Sequence, residues 1–306
     1  MKKIFISIFI TLLFINFSFA RADEDSLSYE KEKMIVYDLQ SYRYNFFKGD
    51  TLVYRVEAFD SLMINYDKPL EKTRLEHLQV TCDSVTKDRK FLLSFKLISL
   101  ISDEVYDGKE KSRRTSSAWK GRVVKILIDS LGNRLKVVPD DSLSYSVAPG
   151  GSFTPALIFP FKETYRYINE SWMAKSKDTL IENGVPGAWV DHTFLLRARN
   201  PLDTLGYACS RFSYIMTGIG AINIITPQQK MRTESTLTGS GVMTISKEHW
   251  IPVHYFANLE QKLLIFYPEK EEIPGQHYIS VDFTLEKFIP GKGRTGDTKK
   301  QVKKKK

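Results

Sequence analysis

Alternation of apolar and polar residues is the dominant pattern along the chain from residue 49 onward. TLVYRVEAF (51–59) and RLEHLQVTC (74–82) alternate with a period of two, which places one set of side chains on a buried face of a strand and the other set in water. The clearest case is HYISVDFTLEKF, where one face carries Ile279, Val281, Phe283 and Leu285. FLLSFKLISLI (91–101) is apolar on both faces over part of its length, which is typical of a central strand.

Turn-forming residues separate these runs at the spacing of all-β folds. DSLGN (129–133) lies between KILI and RLKVV, and Gly132 and Asn133 tolerate the positive φ that a tight hairpin needs. No helical periodicity is sustained from residue 49 to the tail. The chain is therefore predicted to be mainly β, with a dozen or more strands in a large antiparallel twisted sheet. This sheet is curled as an open half-barrel or divided into two stacked β units.

The pattern also predicts where the segments begin and end. Residues 1–20 are predicted to be a signal peptide, and 21–48 an N-terminal arm or one short helix. Residues 49–290 form the β-rich domain, and 291–306 are a disordered basic tail. A sub-boundary near 145–160 is suggested by Gly and Pro in VAPGGSFTPALIFPF, although one continuous domain with a long surface loop fits a β domain of this length equally.

The first twenty residues have the composition of a secretory signal. MKKIFISIFITLLFINFSFA begins with two lysines, continues with an apolar run shorter than the ~20 residues that a bilayer requires, and ends in small residues. No cysteine follows the apolar run, which argues against a lipoprotein. We expect an exported protein of the periplasm or cell envelope, or an extracellular one, without a transmembrane helix after signal cleavage.

Most of the basic charge lies in the tail. Of the formal net charge of +9, residues 292–306 carry +7 and Lys2 and Lys3 carry +2, so 21–291 is neutral. The lysines that give the tail its electrostatic character are Lys299, Lys300, Lys303, Lys304, Lys305 and Lys306. After export we expect no nucleic acid as a partner and favour a solvated terminus without a specific partner. The alternative is weak electrostatic adhesion of the tail to anionic envelope surfaces.

Two cysteines, Cys82 and Cys209, would both reach an oxidising compartment. A disulfide between them would close a long loop and stabilise the fold by about 4 kcal/mol. The alternative is a pair of buried thiols that pack as small apolar side chains.

Residues that would carry catalysis are sparse. The five histidines show no HxH or HExxH spacing, so we expect no metal site and no cofactor. There is no GxSxG sequence, and Asp191 and His192 are neighbours whose side chains face opposite ways on a strand. Gly218-Ile219-Gly220 lacks the third glycine of a dinucleotide-binding loop. An enzyme is not expected; a hydrolase using Asp191, His192 or Ser152 is the alternative.

Several short sequences give the chain a family resemblance. These are Phe159-Pro160 followed by INESW (168–172), DSLGN (129–133), and TGSGVMTISKEHWIPVHYF. Over about 120–290 the chain resembles secreted β-rich families of unknown function from bacterial envelopes. Some of these are similar to curled half-barrels that shelter lipid or lipoprotein acyl chains in the periplasm. The resemblance implies an apolar concavity and carries over no binding residue.

Export, two-faced strands and abundant aromatic residues together favour a non-enzymatic envelope protein. Its curved sheet would bind a lipid or other apolar small molecule, or an envelope partner. A scaffold or surface-adhesive protein is the alternative from another class. We expect aromatic clusters such as YRYNFF (42–47) to pack in the core. The alternative is that they form a binding surface. The oligomeric state does not follow from the sequence.

Overall fold

The computed structural model describes residues 39–109, 111–117, 120–138, 157–182, 185–225, 230–268 and 272–294. The chain divides into two compact units, Met1–Gln40 and Ser41–Lys306. The structure describes only Leu39 and Gln40 of the first unit, so the predicted signal peptide and most of the predicted arm or helix lie outside the described residues. The second unit contains the sheet, and its last described residues, 292–294, form one helical turn.

Fourteen strands are present in the described residues. In chain order they are β1 (Leu39–Ser41), β2 (Thr51–Ile64), β3 (Leu70–Val85), β4 (Phe91–Tyr106), β5 (Lys111–Arg114), β6 (Val123–Ile128), β7 (Arg134–Val138), β8 (Tyr165–Tyr167), β9 (Ser171–Glu182), β10 (Val185–Thr204), β11 (Tyr207–Ile225), β12 (Lys230–Ser246), β13 (Pro252–Phe266) and β14 (Ile273–Ile289).

One antiparallel sheet contains all of these strands except the short β1 and β8. Its order is β7-β6-β4-β3-β2-β14-β13-β12-β11-β10-β9, and β5 pairs with β4 beside this path. The sheet curls until its two edge strands, β7 and β9, lie side by side. Arg134 of β7 and Asp178 of β9 join the edges through an ion pair of 2.9 Å. The prediction of a large curled antiparallel sheet is confirmed, as one nearly closed barrel with a seam and not as two stacked units.

The alternation in the sequence defines the inner face of this sheet. Each second residue of β14 is buried, as the sequence pattern predicted, from Ile279 to Leu285. The predicted DSLGN turn joins β6 to β7: Gly132 has a φ of +79°, and Asp129 accepts hydrogen bonds from the backbone N–H groups of Leu131 and Asn133. Strand β4 is interior in the sheet order, as predicted, but Ile98 and Ile101 on its outer face are exposed.

Aromatic side chains close one end of the barrel interior, which we call the base. Two segments outside the large sheet, 41–47 and 157–161, supply part of it. Tyr44 stacks on Phe161 with ring centroids 5.3 Å apart, and its hydroxyl accepts a hydrogen bond from the Phe159 N–H. The base contains Tyr42, Tyr44, Phe46, Phe159, Phe161, Phe212, Tyr214 and Tyr255, all at most 3% exposed. The expectation that the aromatic clusters are core is confirmed for these residues.

Candidate functional site

The inner face changes character from the base toward the opposite end, where β2 ends and β3 begins. Near the base the inner residues of β2, such as Leu52 and Tyr54, are completely buried. Toward the other end Leu62, Ile64 and Leu70 are only partly buried. The inner face is therefore less completely covered at this end, which we call the mouth.

Charged side chains occupy the inner face between the base and the mouth. Asp60, Arg74 and Glu76 share the strand phase of buried apolar residues such as Ala58 and Leu78. This phase places them inside the sheet, where Asp60 and Glu76 are each 9% exposed. Charged groups are rarely buried unless they are paired, and these three are.

Arg74 connects the two carboxylates. Its Nε lies 2.6 Å from Asp60 Oδ2, and its Nη1 lies 2.7 Å from Glu76 Oε1. Burial lowers the pKa of Arg74, but the adjacent carboxylates raise it above its ordinary value, so the group is a permanent cation. The pairing places both carboxylates beside a permanent cation on the inner face.

Strands β14 and β13 extend this group around the interior. His277 Nε2 lies 3.4 Å from Asp60 Oδ1, and His277 Nδ1 lies 3.3 Å from Gln261 Oε1. Burial raises the pKa of Asp60, whereas the His277 hydrogen bond and the Arg74 charge lower it more, and the net pKa lies below its ordinary value. We call Asp60, Arg74, Glu76, Gln261 and His277 the interior charge cluster.

Apart from Trp172 Nε1 beside the base, three further polar groups on the inner face have no hydrogen-bond partner in the described part of the chain. They are His192 Nε2, Ser102 Oγ and Ser235 Oγ, and all three atoms are buried. Burial, with the nearby Arg134 charge, lowers the pKa of His192 to about 4, so the ring is neutral at physiological pH. A buried polar atom without a partner is costly, so these groups are available to a polar ligand atom.

Asp191 and His192, two residues of the hydrolase alternative, do not face one another. His192 points inward, whereas Asp191 lies on the outer face within 3.7 Å of Lys177, as expected for neighbours on a strand. Ser152 lies outside the described residues. In the described residues no group of three or more His, Cys, Asp or Glu side chains could hold a metal ion.

A Ser-His-Glu contact that the sequence did not reveal lies on the outer face. His77 Nδ1 is 2.8 Å from Ser99 Oγ, and His77 Nε2 is 3.4 Å from Glu286 Oε2. Ser99 and Glu286 lie at β-bulges, which the strand pattern alone does not predict. The His77 and Glu286 side chains are 36% and 41% exposed on the convex surface. This arrangement is that of a surface hydrogen-bond network.

Both cysteines are buried near the base, and both thiols are free in the structure. Each Sγ donates to a backbone carbonyl, Cys82 to Ser84 and Cys209 to Tyr207, at 3.5 Å. Burial raises the pKa of Cys82 to about 12 and that of Cys209 to about 11. Neither thiol is a nucleophile at neutral pH, and the pairing of the two stays a prediction.

The start of the predicted tail is described through Arg294, and the six tail lysines lie outside the described residues. Within 291–294 the chain is anchored, because Arg294 contacts Asp50. The predicted sub-boundary at 145–160 lies mostly outside the described residues and stays a prediction. Among the described helices none is long and apolar enough to cross a membrane.

Comparison with known proteins finds similar solved structures but no matching family. No family model matches the chain, and no curated protein matches it. Among solved structures it is similar to lipovitellin, in a structure of its lipid–protein interactions, with a TM-score of 0.42 and 12% identity. The match covers 81% of this chain, and the chain spans 26% of the lipovitellin chain.

Two bacterial structures are also similar. A Bacteroides fragilis protein described as exported, with a YMCC-like fold, has a TM-score of 0.30 and 13% identity; the match covers 81% of this chain and 99% of that one. Pseudomonas aeruginosa OpdQ has a TM-score of 0.24 and 6% identity, with 80% and 100% covered. The resemblance to β-rich families is confirmed, and at these identities it concerns the fold alone.

Proposed function

We propose that the protein is an exported, non-enzymatic binding protein that holds a lipid or another amphiphilic small molecule in the mouth of its curled sheet. The observation that supports the proposal most is the composition of the inner face. Partly exposed apolar side chains at the mouth adjoin the interior charge cluster and three unpartnered polar atoms. An apolar lining with a few placed polar groups is the usual composition of a small-molecule site.

The two parts of the ligand would meet different parts of the inner face. Apolar chains would contact Leu62, Ile64 and Leu263 at the mouth, whereas a polar group would reach Arg74 or His277. The aromatic base limits the depth of entry, because its rings pack against one another without exposed surface. The ligand would therefore occupy the mouth half and not the whole length of the barrel.

The first test is native mass spectrometry, with lipid extraction, of the mature chain purified from the envelope of its own host. We expect a mass adduct that dissociates under collision and yields an amphiphile on extraction. A chain that is empty after purification and also fails to bind fatty acids or phospholipids in titrations would contradict the proposal. In that case a scaffold role would follow, and crosslinking in cells would identify the neighbour.

A further inference from the structure

The outer face of β9, β10 and β11 carries an unusual row of exposed apolar side chains. Met173 lies opposite Leu195, and Leu195 lies opposite Ile215 on the next strand. These side chains are 60%, 43% and 58% exposed, respectively. Because adjacent strands are about 4.8 Å apart, the row extends about 10 Å across the surface. Exposed apolar groups that adjoin one another often mark a contact surface.

Arginines border this row on the side toward the base. Arg197 follows Leu195 by two residues on the same face, and Arg199 lies directly opposite Arg211. The Arg199 Nε donates to Ser213 Oγ at 2.8 Å, which places it on the outer face. Like charges directly opposite one another on adjacent strands destabilise a sheet, so this arrangement has a cost in the free protein.

The described residues offer these arginines no carboxylate partner. Arg197, Arg199 and Arg211 form no ion pair within that part of the chain, and Arg211 Nε is buried without a hydrogen-bond partner. Other arginines of the sheet are paired with carboxylates, among them Arg55, Arg74, Arg113 and Arg232. On the mouth side of the row lies Lys175, which is exposed. The face thus combines an apolar row with unneutralised cations on both sides.

We infer that this face docks onto the surface of an anionic lipid bilayer. Aliphatic side chains enter the boundary between headgroups and acyl chains, and arginines beside them contact lipid phosphates. A second copy of the same face is a poor partner, because the arginines of the two copies would repel one another. The inference does not depend on a ligand in the mouth, since all of its residues lie on the outer face.

The test measures cosedimentation of the full mature chain with phosphatidylcholine vesicles, with and without phosphatidylglycerol, at low salt. The variant R197Q/R199Q/R211Q is compared with K96Q/K262Q/K287Q, which loses the same charge at exposed positions elsewhere and retains the basic tail. Each cation at the surface strengthens binding by about fivefold, so the arginine variant should lose about 100-fold in partitioning to anionic vesicles. The lysine variant should lose much less.

A second variant, M173T/L195T/I215T, separates a bilayer from a soluble polyanion. Threonine keeps the strand propensity, so folding, checked by circular dichroism, should be retained. We expect weaker partitioning of this variant to anionic vesicles. Equal losses in the two charge variants would overturn the inference, as would unchanged binding of the threonine variant or equal binding of the wild type to vesicles without phosphatidylglycerol.

Discussion

The ion pair between Asp50 and Arg294 gives the most direct test of how the base is held closed. The Asp50 carboxylate is fully buried, and Arg294 Nη2 lies 2.7 Å from its Oδ2. The backbone N–H groups of Phe47 and Gly291 also donate to it, each at 2.8 Å. The same Arg294 Nη2 donates to the Asn45 carbonyl at 2.6 Å. The pair therefore joins the segment before β2 to the segment after β14.

Replacing Arg294 with methionine should destabilise the fold strongly. The substitution leaves the Asp50 carboxylate buried with only backbone donors, and removal of one partner from a buried ion pair costs about 3–5 kcal/mol. Because two N–H groups remain, we expect the lower end, about 3 kcal/mol, or a fall in Tm of roughly 10 °C. Urea unfolding and thermal scans of the mature chain measure both quantities.

Two variants make this result interpretable. R232M removes an arginine whose pair with Glu234 is about half exposed, so it should cost less than about 1 kcal/mol. D50N/R294M removes both charges while the amide oxygen introduced at position 50 still accepts hydrogen bonds, and it should recover at least half of the loss. An R294M variant as stable as R232M, or a double variant less stable than R294M, would show that the buried ion pair does not hold the base closed.

Four further predictions concern His192, the two cysteines, Ser99 and the basic tail. Because the pKa of His192 is lowered to about 4 from 6.5, the unfolded chain binds a proton more readily below pH 6.5. Between pH 7 and pH 5 the unfolding free energy of the wild type should therefore fall by about 2 kcal/mol more than that of H192Q. Equal falls in the two proteins, measured by urea unfolding at each pH, would contradict this. Unfolding without reductant should expose two titratable thiols, from Cys82 and Cys209, whereas a disulfide would give none. We expect neither the wild type nor S99A to hydrolyse esters faster than the buffer alone. Hydrolysis by the wild type that S99A loses would indicate an active site. Deletion of 295–306 should weaken binding to anionic vesicles only at low salt, and unchanged binding there would exclude an adhesive tail.

The sequence predicts the strands because burial on one face imposes a period of two, and β14 shows this directly. It does not predict the seam, because an ion pair between Arg134 and Asp178 depends on the curvature of the whole sheet. The Asp50–Arg294 pair likewise joins residues that no local pattern relates.

A signal for the interior charge cluster was present in the sequence. Asp60 continues the buried phase of Val56 and Ala58, and Arg74 and Glu76 precede the buried phase of Leu78. A charged residue in a buried phase is a candidate for a site or an ion pair. The pairing itself requires the register between β2 and β3, which places Ala58 opposite Arg74.

Two neighbouring residues of β2 distinguish binding of an amphiphile in the mouth from a general loss of binding. Leu62 lies on the inner face and Met63 on the outer face, and both are partly buried. A fluorescent fatty acid is titrated into the mature wild type, L62E and M63E after their folding has been compared. We expect saturable binding that L62E loses and M63E keeps; no binding to the wild type, or equal losses in the two variants, would contradict the account.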